Sequence, residues 1–225
     1  MPFFDEIAQK AGQIIHFTSV STGDVVRFPA FITSFSDDYS IQWGSTPIFG
    51  RTDPIKSYQS TGRRITAVFD ILGKDQKTAL QNFKSYSKLI QMLYPVYSDP
   101  IGRNPKYRTI KAPPLVRIKY ANYIRSGTNE HGLLGCLQGV NFQPKFEAGH
   151  FFTGFDPNPD GPDPEAPPGG EMVPLSYTMN LTFEPIHETP MGFTVGGEFL
   201  ENGFPYVVGS GSFLHSQPGS DPMEG

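Results

Sequence analysis

The chain has 225 residues, a formal net charge of −4 at pH 7 and a single cysteine. This length suits one hydrophobic core with extensions, and the acidic balance disfavours a general nucleic-acid binder held to phosphate by a basic surface. Cys136 has no partner for an intramolecular disulfide, and the apolar residues around it predict a buried structural thiol. No segment has the roughly 18 apolar residues that a membrane-spanning helix needs.

The composition favours a β-rich fold with many turns. The chain contains 24 glycines and 22 prolines, which break regular structure, and 19 phenylalanines and 10 tyrosines, which are common in strands. We therefore expect strands to dominate and long helices to be rare.

The first segment with a clear period predicts a short amphipathic helix over residues 3–15, where apolar residues recur at spacings of three and four. A helix this short is marginal alone, so we expect it to pack on this domain or on a neighbouring molecule. Residues 1–22 are interpreted as an amino-terminal helix or arm. Asp5 and Glu6 replace the positive charge that a signal peptide would carry.

Two strands come next, with a long segment between them. The run FPAFITSFS around Phe31 alternates in a way that predicts a strand buried largely on both faces. The run ITAVFDIL, residues 65–72, predicts a strand with one apolar face. We interpret the two as the arms of one long hairpin and residues 36–64 as a long loop between them, because ordered loops of this length are usually functional.

The run GKDQKTALQNFKSYSKLIQMLYPVY predicts the one substantial helix. Asp75 is the predicted N-cap and Pro95 ends the helix. The predicted apolar stripe consists of Ala79, Leu80, Phe83, Tyr86, Ile90 and Leu93. A stripe of this width fits a helix that lies across a sheet.

Three further strands are predicted around residues 116–120, 133–146 and 175–184, the last with strict alternation. Residues 153–172 are rich in proline and glycine and are interpreted as an exposed loop. Residues 196–225 are interpreted as a flexible carboxy-terminal arm whose scattered apolar residues gain order only against a partner. The domain over residues 23–195 is therefore predicted to be mainly β, an antiparallel barrel or sandwich with one long flanking helix.

The sequence offers no pattern that indicates catalysis or metal binding. The five histidines are far apart in sequence, and none has metal-ligand spacing with another histidine or with cysteine. Asp37 and Asp38 are adjacent in a strand-like run, so their side chains point to opposite faces, and we interpret them as turn or loop-entry residues. A serine, histidine and aspartate triad has no local signature and stays open. We expect no catalytic residue, no metal and no cofactor.

The run WGSTPIFGRTDP, residues 43–54, allows two interpretations. Arg51 and Asp53 could clamp a ligand, or the segment could be a stiff loop that docks on another subunit. Asp53 before Pro54 favours a turn, and the rest of the chain offers no chemical partner. The basic cluster in the following KSYQSTGRR could contact nucleic acid or the acidic loop near residues 155–171. The predicted subunit-interface residues are Trp43, Ile48, Phe49, Gly50, Arg51, Asp53, Pro54, Ile55, Tyr58, Arg63 and Arg64.

Several runs together resemble the tail-tube-like proteins of contractile-tailed bacteriophages, in particular those at the junction of tube and baseplate hub. The resemblance lies in FPAFITSFSDDYSIQWGSTPIFGRTDPIKSYQSTGRRITAVFDI, LIQMLYPVY, PPLVRIKYANYI, GLLGCLQGVNFQPKFEAGHFF and LSYTMNLTFEPIHETPMGF. It covers about residues 28–193. The tryptophan-to-GRTDPI segment is its most specific part.

The resemblance implies a non-enzymatic structural protein of the virion. Six copies would close into a ring that connects the tail tube to the baseplate hub and initiates tube assembly. The implied partners are further copies of the chain, the tail tube protein and the baseplate hub and wedge proteins. Genomic DNA would pass through the lumen without specific binding, helped by a negatively charged wall. We expect assembly in the host bacterial cytoplasm and no membrane insertion.

Three alternatives stay open. The chain could form another ring of the same tail, such as the tube protein or a terminator, although the Pro-rich loop and long arm favour a junction with unlike partners. It could be a cell-wall hydrolase of the baseplate, although no acid/base or metal constellation supports one. It could also be a carbohydrate-binding module, which would show exposed aromatic side chains on a monomer that forms no rings.

Overall fold

A computed structural model describes residues 13–100, 107–126, 130–153, 171–201 and 204–206. Its strands are β1 Ile14–Ser19, β2 Val25–Pro29, β3 Phe31–Thr46, β4 Ile55–Leu72, β5 Val96–Tyr97, β6 Ile110–Ala112, β7 Val116–Tyr120, β8 Leu133–Pro144, β9 His150–Thr153, β10 Glu171–Pro174 and β11 Ser176–Pro185. Its α-helix, α1, is Gln76–Gln91, and a short 3₁₀ helix is Phe146–Ala148. Most of the predicted amino-terminal helix, the Pro-rich loop and the arm beyond residue 206 lie outside the described residues.

The architecture is mainly β, as predicted, with an antiparallel seven-stranded sheet in the order β2-β1-β7-β8-β11-β4-β3. Two small two-stranded sheets, β9 with β10 and β5 with β6, accompany it. The longest ladders join β4 to β11 and β8 to β11, and all of the ladders are antiparallel.

The sheet curls into an open barrel because Ala30 alone separates β2 from β3, which lie at opposite edges. Consecutive Cα atoms are about 3.8 Å apart, so the two edges must meet at this point. The curvature also brings Phe69 of β4 and Tyr120 of β7 together, with ring centroids 5.0 Å apart. The Tyr120 hydroxyl donates to the Ala30 carbonyl at 3.3 Å. Within the described residues no ladder joins β2 to β3, so the barrel is not closed.

The core lies on the inner face of this curved sheet, as the alternation predicted. The buried residues of β4 and β11 are Ile65, Ala67, Phe69, Ile71, Tyr177, Met179, Leu181 and Phe183. Fully burying a large apolar side chain contributes about 1.5–3 kcal/mol, so these two neighbouring strands supply much of the stabilisation. Phe17 of β1 and Phe28 of β2 extend the core, edge to face at 6.1 Å.

Helix α1 packs across the sheet, and its N-cap is the predicted one. The Asp75 carboxylate accepts a hydrogen bond from the Thr78 backbone N–H at 2.7 Å. The buried face is rotated from the predicted stripe, since Ala79, Asn82 and Leu89 are buried whereas Leu80, Phe83 and Ile90 are half-buried. The buried Tyr177 hydroxyl donates to the Asn82 backbone carbonyl at 3.2 Å. The Asn82 side-chain Nδ2 donates to the Leu72 carbonyl at 3.5 Å, which gives this polar side chain a partner on the inner face.

Three sequence-based expectations about β1, the burial of β3 and Cys136 are wrong. Ile14 and Ile15, assigned to the end of the first helix, lie in β1, which pairs with both β2 and β7. Strand β3 is not buried on both faces, because it is an edge strand and most of its residues are exposed. Cys136 is half-buried rather than buried, because it lies opposite Glu184 on the polar outer face of the sheet.

Candidate docking ribbon

Strands β3 and β4 continue beyond the body of the domain as a two-stranded ribbon, residues 38–64. Their pairing runs from Phe31 opposite Asp70 to Thr46 opposite Ile55. The ladder between β4 and β11 begins only at Ile65, so no other strand in the described part of the chain pairs with the ribbon. At roughly 3.3 Å per residue, residues 38–46 extend about 30 Å. The expectation of a loop over residues 36–64 is therefore wrong, whereas the two arms do form one hairpin.

Only residues 47–54 form the turn at the ribbon tip. The Arg51 backbone N–H donates to the Ile48 carbonyl at 3.3 Å. Gly50 has φ 84°, a left-handed conformation that disfavours other residues, although a Cβ at this position would meet no atom within 4 Å. The backbone conformation of Gly50, and not a lack of room for a side chain, therefore requires glycine at this position of the turn.

One face of the ribbon, the ribbon face, carries Tyr39, Ile41, Trp43 and Tyr58, whose side chains are 43%, 57%, 56% and 59% exposed. The register aligns this face with the core-facing side of β4, so the apolar side of the sheet continues into solvent. The Trp43 and Tyr58 rings pack edge to face at 5.8 Å. Exposed apolar surface that is contiguous in this way marks an interaction site.

Phe49 at the tip is the most exposed apolar residue of the ribbon. Phe49 is 106% exposed and Ile48 is 39% exposed. Arg51 and Asp53 are also exposed, and the described contacts include no ion pair between them. The tip thus presents apolar and charged groups together, without the clamp geometry that a small-ligand site would need.

The root of the ribbon contains a buried ion pair, Arg63 with Asp37. Arg63 Nε donates to Asp37 Oδ1 at 2.8 Å and Nη2 donates to Oδ2 at 2.6 Å. The two side chains are only 2% and 3% exposed. Arg63, predicted at a subunit interface, is therefore buried within its own chain. Arg64 is exposed and pairs with Glu184 at 2.6 Å.

Residues 204–206, which we name the strap, cover this ion pair. The Arg63 guanidinium contacts the rings of both Tyr39 and Phe204, 5.5 Å and 5.2 Å from their centroids. The Tyr206 hydroxyl donates to Asp37 Oδ2 at 3.0 Å. Phe204 and Tyr206 were expected to gain order only against a partner, but they contact the body of their own chain.

The electrostatics of the root favour a stable ion pair. Burial raises the pKa of Asp37, but the hydrogen bonds and charge of Arg63 together with the hydroxyls of Tyr206 and Tyr39 outweigh it and hold the pKa below its usual range. Burial, and then the charge of Arg63, lowers the pKa of the nearby His187. The hydrogen bonds and opposite charges of the Arg63–Asp37 pair therefore stabilise the ribbon root.

Sequence reasoning missed the Arg63–Asp37 pair, although a signal was present. The pairs Asp37–Asp38 and Arg63–Arg64 flank the turn at nearly equal distances in sequence. In a hairpin, residues at equal distances from the turn become cross-strand neighbours. Reading residues 36–64 as a loop concealed this symmetry.

The described residues include neither a metal-binding group nor a membrane-spanning helix. They contain no group of three or more histidine, cysteine, aspartate or glutamate residues placed to hold a metal ion. They also contain no helix that is both long enough and apolar enough to span a bilayer.

The chain has structural relatives, although no sequence relative was found. Neither the protein-family models nor the curated proteins include a match to this chain. Among solved structures, the fold is similar to Dit (gp 19.1) of phage SPP1, described as a hub adsorption apparatus protein of phages that infect Gram-positive bacteria. The identity is 10% and the TM-score is 0.34, over 76% of this chain and 49% of that chain. This partial likeness transfers no residue role.

Proposed function

We propose that this chain is a non-enzymatic structural protein of a phage tail, which assembles into a hexameric ring that joins the tail tube to the baseplate hub and initiates tube growth. The observation that carries the proposal is the projecting ribbon with its exposed tip, Phe49. Burial of apolar area contributes roughly 25 cal/mol per Å², so docking of this tip on a neighbouring subunit is favourable. The resemblance of residues 28–193 to the tail-tube-like proteins of contractile-tailed phages supports the same assignment.

The free edges of the sheet support assembly as well. The outer edges of β2 and β3 carry backbone groups that have no ladder partner within the described residues. Unpaired edges promote association with further strands, and a closed ring of identical copies satisfies them without open-ended growth. The ribbon continues the β3 edge, so one interface could include both features.

The partners in this proposal are further copies of the chain, the tail tube protein and the baseplate hub and wedge proteins. Genomic DNA passes through the lumen without specific binding, and the protein resides in the virion after assembly in the host cytoplasm. Another ring of the same tail, the tube or a terminator, is the nearest variant of this function. Electron microscopy of tails assembled with labelled protein would show whether the protein lies at the junction with the baseplate hub, in the tube or at the terminator.

A second candidate, a carbohydrate-binding module of the baseplate, is favoured by one observation. Trp43 and Tyr58 form an exposed aromatic pair, and rings of this kind stack on sugars as readily as on apolar side chains. Glycan binding by a protein that stays monomeric with tail components would support this candidate. Clear lysis of cell walls by the purified protein would instead favour the hydrolase alternative.

The decisive experiment combines the purified chain with hub and tube proteins and measures the mass of the products. The proposal expects rings with six copies, seen by native mass spectrometry and electron microscopy. Failure to incorporate into any assembly in the presence of both partners would overturn it. A lone monomer without partners is the expected starting state, because hub proteins would template the ring.

A further inference from the structure

A small cavity lies between the turn that joins β1 to β2 and the carboxy-terminal end of α1. Its volume is about 270 Å³, and the apolar part of its lining consists of Met92, Pro95, Val96 and Pro114. An apolar cavity of about 150 Å³ already holds a benzene ring, whereas pockets for drug-sized ligands usually exceed about 300 Å³. The cavity therefore has the size to receive one aromatic side chain.

An ion pair, Lys88 with Asp24, forms part of the same lining. Lys88 Nζ donates to Asp24 Oδ1 at 2.6 Å, and the Thr22 hydroxyl donates to Asp24 Oδ2 at 3.0 Å. The side chains of Lys88 and Asp24 are 46% and 45% exposed, so each can take a second ionic partner from outside. The cavity thus combines an apolar surface with one accessible cation and one accessible anion.

The ribbon tip carries the groups that complement this cavity. Phe49 is a fully exposed aromatic ring, and the exposed Arg51 and Asp53 supply a cation and an anion close to it in sequence. The ring matches the apolar lining, the guanidinium matches Asp24, and the carboxylate matches Lys88. Opposite charges on both sides of a contact fix its orientation as well as its partner.

The tip and the cavity lie at opposite ends of the sheet. All of the ladders are antiparallel, and an even number of them separates β2 from β3, so these two strands run in the same direction. The turn at the cavity precedes β2, whereas the tip follows the end of β3. The ribbon of a chain therefore leads away from its own cavity, and a contact between the two requires a second copy.

We propose that the cavity is the receptor for the ribbon tip of a neighbouring copy, with Phe49 inside it, Arg51 paired with Asp24, and Asp53 paired with Lys88. This inference rests on the proposed function and deepens it, because it names the surface on which the tip docks. A contact between two different surfaces of identical copies is heterologous, and such contacts close into a ring when the rotation between copies permits it. Every tip and every cavity is then occupied.

The balance of energies favours this contact. Burial of an aromatic ring removes a large apolar area from water, and Phe49 loses no contact of its own because it is fully exposed in the free chain. The two charges at the cavity are half exposed, so pairing them with the tip requires little desolvation.

Disulfide crosslinking tests the contact directly. Cys136 is the only cysteine, so Cys136→Ser gives a background without thiols. In this background, a chain with Thr52→Cys at the tip is mixed with a chain with Tyr94→Cys, an exposed residue of the cavity lining, under mild oxidation. The matched control replaces Thr52→Cys by Val195→Cys, which is fully exposed and lies outside the ribbon. We expect the tip-to-cavity dimer to form about tenfold faster than the control dimer, because docking raises the effective concentration of the two sulfurs. Equal rates would overturn the proposal.

Charge reversal tests the orientation. Arg51→Asp in the chain with Thr52→Cys should slow crosslinking about fivefold, because an attraction at an exposed site becomes a repulsion. Asp24→Arg in the chain with Tyr94→Cys should have the same effect when it is present alone. Mixing the two reversed chains should restore most of the original rate. A rate that stays low in this mixture would contradict the pairing of Arg51 with Asp24.

The outcome for the cavity is separable from the outcome for ring formation. Rings that assemble normally with hub and tube proteins, in which the tip crosslinks to the cavity no faster than the control does, would refute the receptor and leave the proposed function intact. A specific tip-to-cavity crosslink in a protein that never joins an assembly would instead support the contact and refute the proposed function.

Discussion

Arg63 and Asp37 form a two-point ion pair at the place where the ribbon leaves the body of the domain, with N–O distances of 2.8 and 2.6 Å. The pair marks a boundary on one face of the sheet. On the body side of the boundary this face is buried core, and on the ribbon side it is exposed. The strap seals the boundary with two aromatic rings, so the root is rigid while the tip stays accessible.

Removal of Arg63 should destabilise the domain strongly. In Arg63→Ala the Asp37 carboxylate stays buried without a charged partner, and loss of one partner of a buried pair costs about 3–5 kcal/mol. The neighbouring Arg64→Ala is the matched control, since its pair with Glu184 is exposed and contributes less than about 1 kcal/mol. Urea unfolding measures both free energies. Equal effects of the two substitutions would contradict the burial of the root pair.

The stabilisation by Asp37 should depend on pH in a defined direction. Its pKa is lower in the folded chain than in the unfolded chain, so the carboxylate contributes stability above the unfolded pKa of about 3.9 and loses it as pH falls through the folded pKa. The difference in unfolding free energy between the unaltered chain and Asp37→Asn should therefore be constant near neutral pH and should shrink below about pH 4. A difference that stays constant down to pH 2, measured by denaturant unfolding across that range, would argue against this assignment.

Gly135 should tolerate no side chain, although it lies in an ordinary strand. A Cβ at this position would lie 2.6 Å from the Phe183 ring and would also collide with the Glu184 carbonyl oxygen. We expect Gly135→Ala to cost about 3 kcal/mol through overpacking. Gly139 in the same strand has no atom within 4 Å of such a Cβ, so Gly139→Ala should be neutral or slightly stabilising. Thermal unfolding of the pair tests the register of β8 against β11.

Substitutions at the ribbon tip should block assembly and leave the stability of the fold nearly unchanged. Phe49 is fully exposed, so Phe49→Ala should change the unfolding free energy by no more than about 0.5 kcal/mol. Incorporation into tails should nevertheless be blocked, and Arg51→Ala should act in the same way. Native mass spectrometry and infectivity measure the effect.

Val195 is the matched control for the tip, because it is another fully exposed apolar residue and lies outside the ribbon. Val195→Ala should leave assembly intact. If it blocks assembly as effectively as Phe49→Ala, then general surface hydrophobicity, and not the tip, controls association. Infectious tails that carry both Phe49→Ala and Arg51→Ala would refute the docking role.

Strict alternation made the central strands predictable, and a good cap made the helix predictable. Residues 176–185 alternate between a buried and a solvated face. This alternation can be read from the sequence without knowing which strands are neighbours in the sheet. The ribbon was missed because its apolar residues, such as Tyr39, Ile41 and Trp43, are interspersed with serine, glutamine, glycine and arginine, a composition typical of a loop. The order of strands in the sheet depends on partners about 100 residues apart, which no local pattern encodes.

The same pairing scheme gives the two parts of the molecule different folding times. The ribbon joins residues that are close in sequence, and hairpins of this kind form in about 1–10 μs. The body must bring β1 to β7 and β4 to β11, and such distant pairings form slowly because a long loop has to close first. Pulse-labelled hydrogen exchange should therefore protect ribbon amides before those of β1. A newly made chain would then expose the apolar side chains of its docking ribbon before the sheet of the body has formed, so a partner or a chaperone could bind the ribbon during synthesis.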